Sequence, residues 1–302
     1  MTDIAATFDK AAFKESMSGL IERVNAAMPT LLPPDNPFIS DVHEASLYSL
    51  LGGGKRIRPL LVMLTCEAAG GTIESAVPIG CAWEFVHTYS LVHDDLPAMD
   101  NDRLRRGRPT TWVQYGEALA ILAADGLLTE AFAIIATHSP TAAIARDLVR
   151  ELANAAGIRG MVGGQAADIR CEGAAPDAGN LRFIHEHKTG ALLKSAVRAG
   201  ARLGGAEGDV LAALDEYGDA LGLAFQVVDD MLDATSTDAE LGKTAGKDAE
   251  QQKLTYLSVY GLERSREIAD ELIGRALAAV EPLGARGAKL AQLALYVRHR
   301  SN

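Results

Sequence analysis

The chain has 302 residues, with 29 Lys and Arg against 40 Asp and Glu, which gives a net charge of −11. Hydrophobic residues make up 48% of the sequence and charged residues 23%, a globular composition that excludes a disordered or collagenous chain. The acidic balance argues against a nucleic-acid surface, which needs Lys and Arg to neutralise phosphates. With 51 Ala the composition favours helices, because Ala is the best helix former.

The cysteines and the amino end indicate a reduced, cytoplasmic protein. Cys66, Cys81 and Cys171 are far apart and match neither a zinc spacing nor a disulfide framework. Residues 1–10 contain two Asp and no apolar run, so we expect no signal peptide. No stretch reaches the roughly 18 uninterrupted apolar residues of a membrane-spanning helix, so we expect no membrane span.

The predicted elements are all helices. The first ends at a Pro-rich stretch, because Pro cannot continue a helix, and Ser40 and Pro59 suit the starts of the next two. Apolar patterning predicts helices over Phe8–Met28, Ser40–Leu51, Pro59–Ala69, Glu74–Asp95, Glu117–Thr137, Thr141–Ala156, Arg159–Arg170, Asn180–Leu203, Gly208–Asp233, Gln251–Tyr260, Arg264–Val280 and Ala285–Arg300. Linkers are short and no composition shift marks a boundary. The expectation is one all-α domain over residues 1–302, a multi-helix bundle.

Two acidic clusters lie at the ends of strongly apolar helices. The first contains Asp94, Asp95 and Asp100, and the second contains Asp229 and Asp233, which are one helical turn apart on one face. Adjacent carboxylates repel each other and are unfavourable at a helix C-terminus. They therefore indicate a compensating cation, and carboxylate oxygens suit Mg²⁺, which bridges substrate phosphates. A solvated acidic helix end is the alternative for either cluster alone.

Basic segments complete the pattern. The turn Gly53–Pro59 places three cations before a helix, where backbone N–H groups and Arg side chains both favour phosphate. A second basic loop, Leu104–Thr110, follows the first acidic cluster. The Gly-Lys-Thr at Gly242 is not a P-loop, because the preceding glycine of that motif and a preceding strand are both missing. A solvated charge run is the alternative for any one segment.

In this order, the motifs resemble those of the trans-prenyltransferases, or polyprenyl diphosphate synthases. One Asp-rich motif would be weak evidence, whereas the ordered set is specific and covers nearly the whole chain. The set comprises Gly53–Pro59, Asp94–Asp100 with Leu104–Thr110, Gly163–Asp168, His187–Gly190, Phe225–Asp233 and Lys243–Tyr256. Within the family the chain is most similar to bacterial farnesyl diphosphate synthases.

The resemblance implies an isoprenoid-synthase fold, in which helices surround a central cavity. It further implies that the two Asp motifs face each other across this cavity and hold three Mg²⁺ ions on an allylic diphosphate. The implied metal-binding residues are Asp94, Asp95 (as support), Asp100, Asp229 and Asp233, with Asp230 assisting. A homodimer is also implied.

The resemblance assigns roles to the other polar residues. The implied contacts to the allylic diphosphate are Arg105, Lys188 and Lys243. The implied pocket for the second substrate, isopentenyl diphosphate, comprises Lys55, Arg58, His87 and Arg106. Thr189 and Gln226 match positions near the reacting carbons, and Lys253 matches a position that closes over the site. A buried polar residue with satisfied hydrogen bonds is the alternative for His87, Thr189 and Gln226.

The expected reaction condenses isopentenyl diphosphate with dimethylallyl and geranyl diphosphates to make farnesyl diphosphate. Tyr89 and Ser90 precede Asp94 by five and four residues, and five residues of helix rise about 7.5 Å. Tyr89 would thus meet a growing chain a few isoprene units long and limit its length. The alternative is that Tyr89 is only an aromatic residue of the core.

Three other functions are possible at this point. One is a geranylgeranyl diphosphate synthase. The second is a class I terpene cyclase, which is disfavoured because it would not need Lys55, Arg58 and His87 for a second diphosphate. The third is a non-catalytic subunit, which would be expected to lack one acidic motif, whereas this chain keeps both.

Overall fold

The computed structural model describes residues 8–33, 36–235 and 253–300, and nearly all of its regular structure is helical. Its helices are α1 (Lys10–Ala27), α2 (Ser40–Leu50), α3 (Ile57–Ala69), α4 (Ile73–Asp94), α5 (Thr111–Tyr115), α6 (Glu117–His138), α7 (Ala142–Ala156), α8 (Met161–Cys171), α9 (Ala178–His185), α10 (Ala191–Leu203), α11 (Gly208–Thr235), α12 (Tyr256–Val280) and α13 (Ala288–His299). The prediction of an all-α fold is confirmed.

Short irregular elements connect these helices. Met28–Leu31 and Glu281–Gly287 are 3₁₀ turns, and Glu186–Gly190 is a π turn. An antiparallel hairpin of two residues per strand, β1 (Leu104–Arg105) and β2 (Arg108–Pro109), lies in the predicted polar loop.

Side-chain caps explain why several helices begin where they do. The Asp9 carboxylate accepts from two backbone N–H groups of α1. Thr72 and Thr141 cap α4 and α7 in the same way, and Thr255 forms a reciprocal capping box with Ser258 at the start of α12. Each cap satisfies a backbone donor that the first helical turn leaves unpaired.

Two predicted helix assignments differ from the structure. The single helix expected over Asn180–Leu203 is divided into α9 and α10 by the π turn. Conversely, the helices expected over Gln251–Tyr260 and Arg264–Val280 are joined in α12, where Gly261, at φ 74°, leaves the helical backbone. The first of them begins only at Tyr256, and residues 251–252 lie outside the described residues. Gly adopts a positive φ without steric cost, so the turn that was expected to end a helix becomes a local break within it.

Helix α4 runs through the centre of the bundle and is buried on every side. Its buried residues include Trp83 and Phe85, both fully enclosed. The Trp83 indole N–H donates to Ser195 Oγ of α10 at 2.8 Å, which satisfies the polar edge of the ring. A continuous apolar core extends around α4, from Phe13 in α1 to Val297 in α13.

Helix α6 is long and apolar enough to cross a membrane by length and composition alone. Buried residues such as Ala123 and Leu127 account for part of this hydropathy, because they pack into the bundle. Ile121 and Leu122 remain 41% and 56% exposed. A helix of the bundle with one uncovered apolar surface therefore explains the composition.

Helices α3 and α10 cross closely at Gly200. A Cβ atom there would lie 2.3 Å from Val62 O and 2.8 Å from Thr65 Cβ. We predict that Gly200→Ala destabilises the fold by about 3 kcal/mol, because overpacking outweighs the gain in helix propensity. Gly19→Ala in α1, where nothing lies within 4 Å, should instead stabilise by up to about 1 kcal/mol. Urea denaturation measures both, and a Gly200→Ala protein as stable as the wild type would contradict the crossing.

Candidate active site

A cavity of about 990 Å³ lies between α1, the turn before α3, α4 and the carboxyl-terminal residues. It brings together the four residues predicted for the isopentenyl diphosphate pocket, which come from three separate segments: Lys55, Arg58, His87 and Arg106. Thr189 and Asp229 also line it. The wall is therefore strongly cationic, with one carboxylate of the second Asp motif at its edge.

The glycines of the basic turn allow the hairpin to dock on it. Gly53 and Gly54 have φ values of 88° and 130°, which non-glycine residues rarely adopt. A Cβ atom on Gly54 would lie 2.7 Å from the Arg106 guanidinium. Arg106, at the tip of the β1–β2 hairpin, donates a hydrogen bond to Gly53 O. The missing side chain thus brings a third cation beside Lys55 and Arg58.

Burial and mutual repulsion lower the pKa values of these residues and so disfavour their charged forms. Burial, followed by repulsion from Arg300, lowers the pKa of Lys55 to about 8, with Asp229 opposing the shift. Burial lowers the pKa of Arg58 to about 10 against the attraction of Glu84. The pKa of His87 is held well below its usual value, first by burial and then by Arg58, so the ring is neutral. An anionic ligand would relieve this repulsion.

The first Asp motif is divided between anchoring and open carboxylates. Arg105 donates to both oxygens of Asp95 at 2.6 to 3.0 Å. Asp95 was expected to support a metal and Arg105 to bind the allylic diphosphate, but in the structure they bind each other. Asp100 accepts from Lys253 Nζ at 3.1 Å. Asp94 has no such anchor among the described residues, and burial raises its pKa, with Lys188 opposing and Asp100 adding to the shift.

In the second Asp motif, Asp229 and Asp230 are both bound by residues of other elements. Asp229 forms an ion pair with Arg300 at 2.8 Å. Asp230 accepts from Gln226 Nε2 and from the Tyr256 backbone N–H, both at 2.8 Å, so it joins α11 to α12. Thr189 Oγ1 donates to Gln226 Oε1 at 2.8 Å, which connects the π turn to this motif. The predicted metal ligand Asp233 is buried one turn further along.

Lys188 is held by a carboxylate that the sequence analysis assigned no role. Its Nζ lies 2.6 Å from Asp168 Oδ2. Burial lowers the pKa of Lys188, but Asp168 and Asp94 more than offset this and raise it overall. A Cβ atom on Gly164 would lie 2.2 Å from the Lys188 backbone nitrogen. The Gly163–Asp168 motif therefore packs against the π turn and binds Lys188. In the sequence, the acidic residue at the end of this motif was the signal that could have indicated a partner for a lysine.

Several predicted residues do not line the 990 Å³ cavity: Asp94, Asp95, Asp100, Lys188, Gln226, Asp233, Lys253, Tyr89 and Ser90. Tyr89 is buried and packs edge-on against His93, with ring centroids 5.8 Å apart. Ser90 Oγ donates to His87 O at 2.8 Å, a bond within α4. Lys243 lies outside the described residues. The structure thus leaves the chain-length assignment of Tyr89 and Ser90 as a prediction.

The acidic residues fit Mg²⁺ bound together with a substrate. In the described ranges, no three acidic, His or Cys side chains converge as a protein-only metal cage would require. Mg²⁺ is usually held by one or two carboxylates plus substrate phosphates and water. Asp94, a half-buried carboxylate whose pKa is raised by desolvation, offers the hard oxygen that such an ion needs.

The comparisons with known proteins agree with this arrangement. The family model described as "Polyprenyl synthetase" matches residues 40–284. The chain is 45% identical to the chloroplastic geranylgeranyl pyrophosphate synthase of Catharanthus roseus over 99% of this chain and 83% of that protein.

Two solved structures are also similar. An FPP/GFPP synthase from Zymomonas mobilis is 36% identical, with a TM-score of 0.84, over 96% of this chain and all of that one. The geranyltransferase of Helicobacter pylori, solved with magnesium and isoprenyl diphosphate, is 31% identical with a TM-score of 0.82, over 94% and 95% of the two chains.

The helical fold, the cationic cavity and the paired Asp motifs define an isoprenoid-synthase type of enzyme. The chain belongs to the polyprenyl synthetase family, and it is a trans-prenyltransferase.

We predict that Asp94→Ala and Asp229→Ala each lower turnover by roughly 100-fold or more, because each change removes a carboxylate that would hold the cation needed to stabilise the departing diphosphate. Steady-state kinetics measure the effect. Asp219→Ala is the matched control, since Asp219 also lies on α11 but pairs with Lys194 at the surface. A near-normal rate in either variant would remove that residue from the reaction.

The pKa of Lys55 predicts a pH-dependent affinity for isopentenyl diphosphate. Lys55 is charged below about pH 8 and neutral above it in the ligand-free protein, so affinity should fall about tenfold as the pH rises from about 7 to about 9. Calorimetric titration without divalent metal measures this. Lys55→Arg keeps its charge and should flatten the profile. The same decline in both proteins would contradict the assignment.

Proposed function

We propose that this prenyltransferase condenses isopentenyl diphosphate with allylic diphosphates, assisted by Mg²⁺, and makes mainly geranylgeranyl diphosphate. The observation that carries the proposal is the presence of two kinds of anion-binding group. Lys55, Arg58 and Arg106 line one cavity and can bind a diphosphate directly, whereas Asp94 and Asp229 belong to acidic motifs that need a cation to meet a diphosphate.

The cationic wall suits the substrate that keeps its diphosphate. Lys and Arg donors bind phosphate oxygens strongly when they are desolvated. Neutral His87, between them, can donate one further hydrogen bond. Apolar wall residues such as Phe13, Leu60 and Phe225 would exclude the water that quenches an allylic cation.

The acidic side suits the substrate that loses its diphosphate. Asp94, Asp100 and Asp229 would hold Mg²⁺, which when bound supplies positive charge to the departing diphosphate. The related Helicobacter pylori structure contains magnesium and isoprenyl diphosphate, which supports this choice of ion. Lys188, held by Asp168, would add a fixed positive charge beside Asp94. The Thr189–Gln226 pair would present oxygen dipoles to the developing cation.

The product length separates two candidates. The 45% identity to a geranylgeranyl pyrophosphate synthase over nearly the whole chain supports a C20 product, the alternative in the sequence analysis, over the C15 product expected there. Farnesyl diphosphate is the second candidate, and buried Tyr89, five residues before Asp94, favours it. We give preference to C20 because the identity to the FPP/GFPP synthase is lower, at 36%.

Incubation with isopentenyl and dimethylallyl diphosphates plus Mg²⁺, followed by chromatography of the dephosphorylated products, tests both the reaction and the product length. We expect mainly C20 alcohol, and no condensation in excess chelator. Undiminished condensation without metal would overturn the assigned role of the acidic motifs.

The same assay on Tyr89→Ala decides between the two product lengths. A C20 wild type excludes Tyr89 as the floor of a C15 cavity. A C15 wild type whose Tyr89→Ala variant makes C20 or longer products would establish the second candidate instead. Tyr115→Ala, which removes a tyrosine on surface helix α5 that bonds Glu44, is the control and should leave product length unchanged.

We also propose that two copies of the chain pair through the exposed apolar face of α6. Ile121 and Leu122 are exposed on a strongly apolar helix that is only partly buried in the bundle. Leu122→Asp should therefore convert a dimer to a monomer in light scattering, because it places a charge in the interface. Ile158→Asp, at an exposed residue outside α6, should not. A monomeric wild type would refute the dimer.

A further inference from the structure

Arg56 stands among the cavity cations but differs from them in its conformation. It is the N-cap of α3 and adopts a left-handed backbone, with φ 54° and ψ 34°. This conformation costs a residue with a side chain on the order of 1–2 kcal/mol. Only 1% of the Arg56 side chain is exposed. The strain and burial require compensating interactions.

The guanidinium supplies them through three hydrogen bonds to three different elements. Nε donates to Asn25 Oδ1 of α1 at 2.9 Å, and Nη2 donates to Leu50 O at the end of α2 at 2.7 Å. Nη1 donates to Glu84 Oε1 of α4 at 2.8 Å. The planar guanidinium therefore joins three helices directly beneath the basic turn.

Glu84 is a buried carboxylate that attracts Arg58 and Arg106 as well as its partner Arg56. Its side chain is 3% exposed, and its charge opposes the lowering of the pKa of Arg58 and of Arg106. Only Arg56 bonds to it in the described part of the chain. Arg58 Nε is buried without a hydrogen-bond partner. Arg56 and Glu84 both line the 990 Å³ cavity, but the Arg56 guanidinium directs its hydrogen bonds to Asn25, Leu50 and Glu84.

We propose that Arg56 and Glu84 are a positioning pair for the isopentenyl diphosphate pocket. The three bonds of Arg56 fix the turn that carries Lys55 and Arg58. The ion pair also keeps the Glu84 carboxylate from binding those cations, so that they remain available to a diphosphate. This inference rests on the proposed function and extends it to residues that do not touch the substrate.

The test compares Arg56→Lys with Arg56→Gln. Lys keeps the charge but cannot reach three partners, whereas Gln loses both features. If Arg56 acts by positioning, both variants raise the KM for isopentenyl diphosphate about tenfold or more, and the KM for the allylic substrate changes less than about twofold. If Arg56 binds the diphosphate directly as a charge, Arg56→Lys stays near the wild type, and this outcome overturns the proposal.

Two further variants control for a loss of fold. Asn25→Ala removes one of the three bonds and leaves the Arg56 Nε donor unpaired, so it should raise the same KM by a few-fold and lower the melting temperature by only a few degrees. Arg198→Lys alters a comparable arginine, paired with Asp215 away from the cavity, and should change neither KM. Equal KM increases for both substrates in the Arg56 variants and in Asn25→Ala would indicate general disruption and refute the pair.

Calorimetric binding of isopentenyl diphosphate to the full chain in chelator separates this inference from the proposed function. One outcome is that the wild type binds the compound but makes no prenyl product, while both Arg56 variants bind it more weakly. That outcome would refute the function and retain the positioning pair. A wild type that makes product and an Arg56→Lys variant with unchanged affinity would refute the pair alone.

Discussion

Burial of α4 on every side is the constraint on which the site depends. Three ionisable residues of this helix, Glu84, His87 and Asp94, and its C-cap residue Asp95 lie among buried apolar residues, where an uncompensated charge is costly. Glu84 and Asp95 are neutralised by Arg56 and Arg105, and His87 is neutral. Asp94 is the member whose compensation is incomplete, and it is therefore the position on α4 from which a ligand-borne cation gains most.

The partners of α4 come from distant parts of the chain, which explains why the surrounding loops have unusual backbones. Arg56 and Arg106 both adopt positive φ, and each lies in a tight turn that brings a guanidinium to the buried site. Such conformations persist only where surrounding contacts over-determine them. Here the hydrogen bonds of the guanidinium groups provide those contacts, so the charges that define the cavity also shape the turns that carry them.

The sequence predicts the helices, the acidic motifs and the cavity cations because each leaves a local pattern. Apolar periodicity, caps and adjacent carboxylates are all visible within a few residues. Partner choice leaves no such signal: Arg105 binds Asp95 and Lys188 binds Asp168 because different elements meet in space. The π turn escapes prediction for a similar reason, since it depends on the close contact of its backbone with Gly164, which is distant in sequence.

This π turn has a consequence for comparing the chain with relatives. A π turn takes up about one residue more than an α turn, so α9 and α10 are out of phase with the single continuous helix that their length would allow. A relative with an uninterrupted α-helix here would match this chain only if the alignment opened a one-residue gap within Glu186–Gly190. Without that gap, Lys188 and Thr189 would be equated with residues on the wrong helical face, and a true difference in catalytic geometry would look like simple substitution.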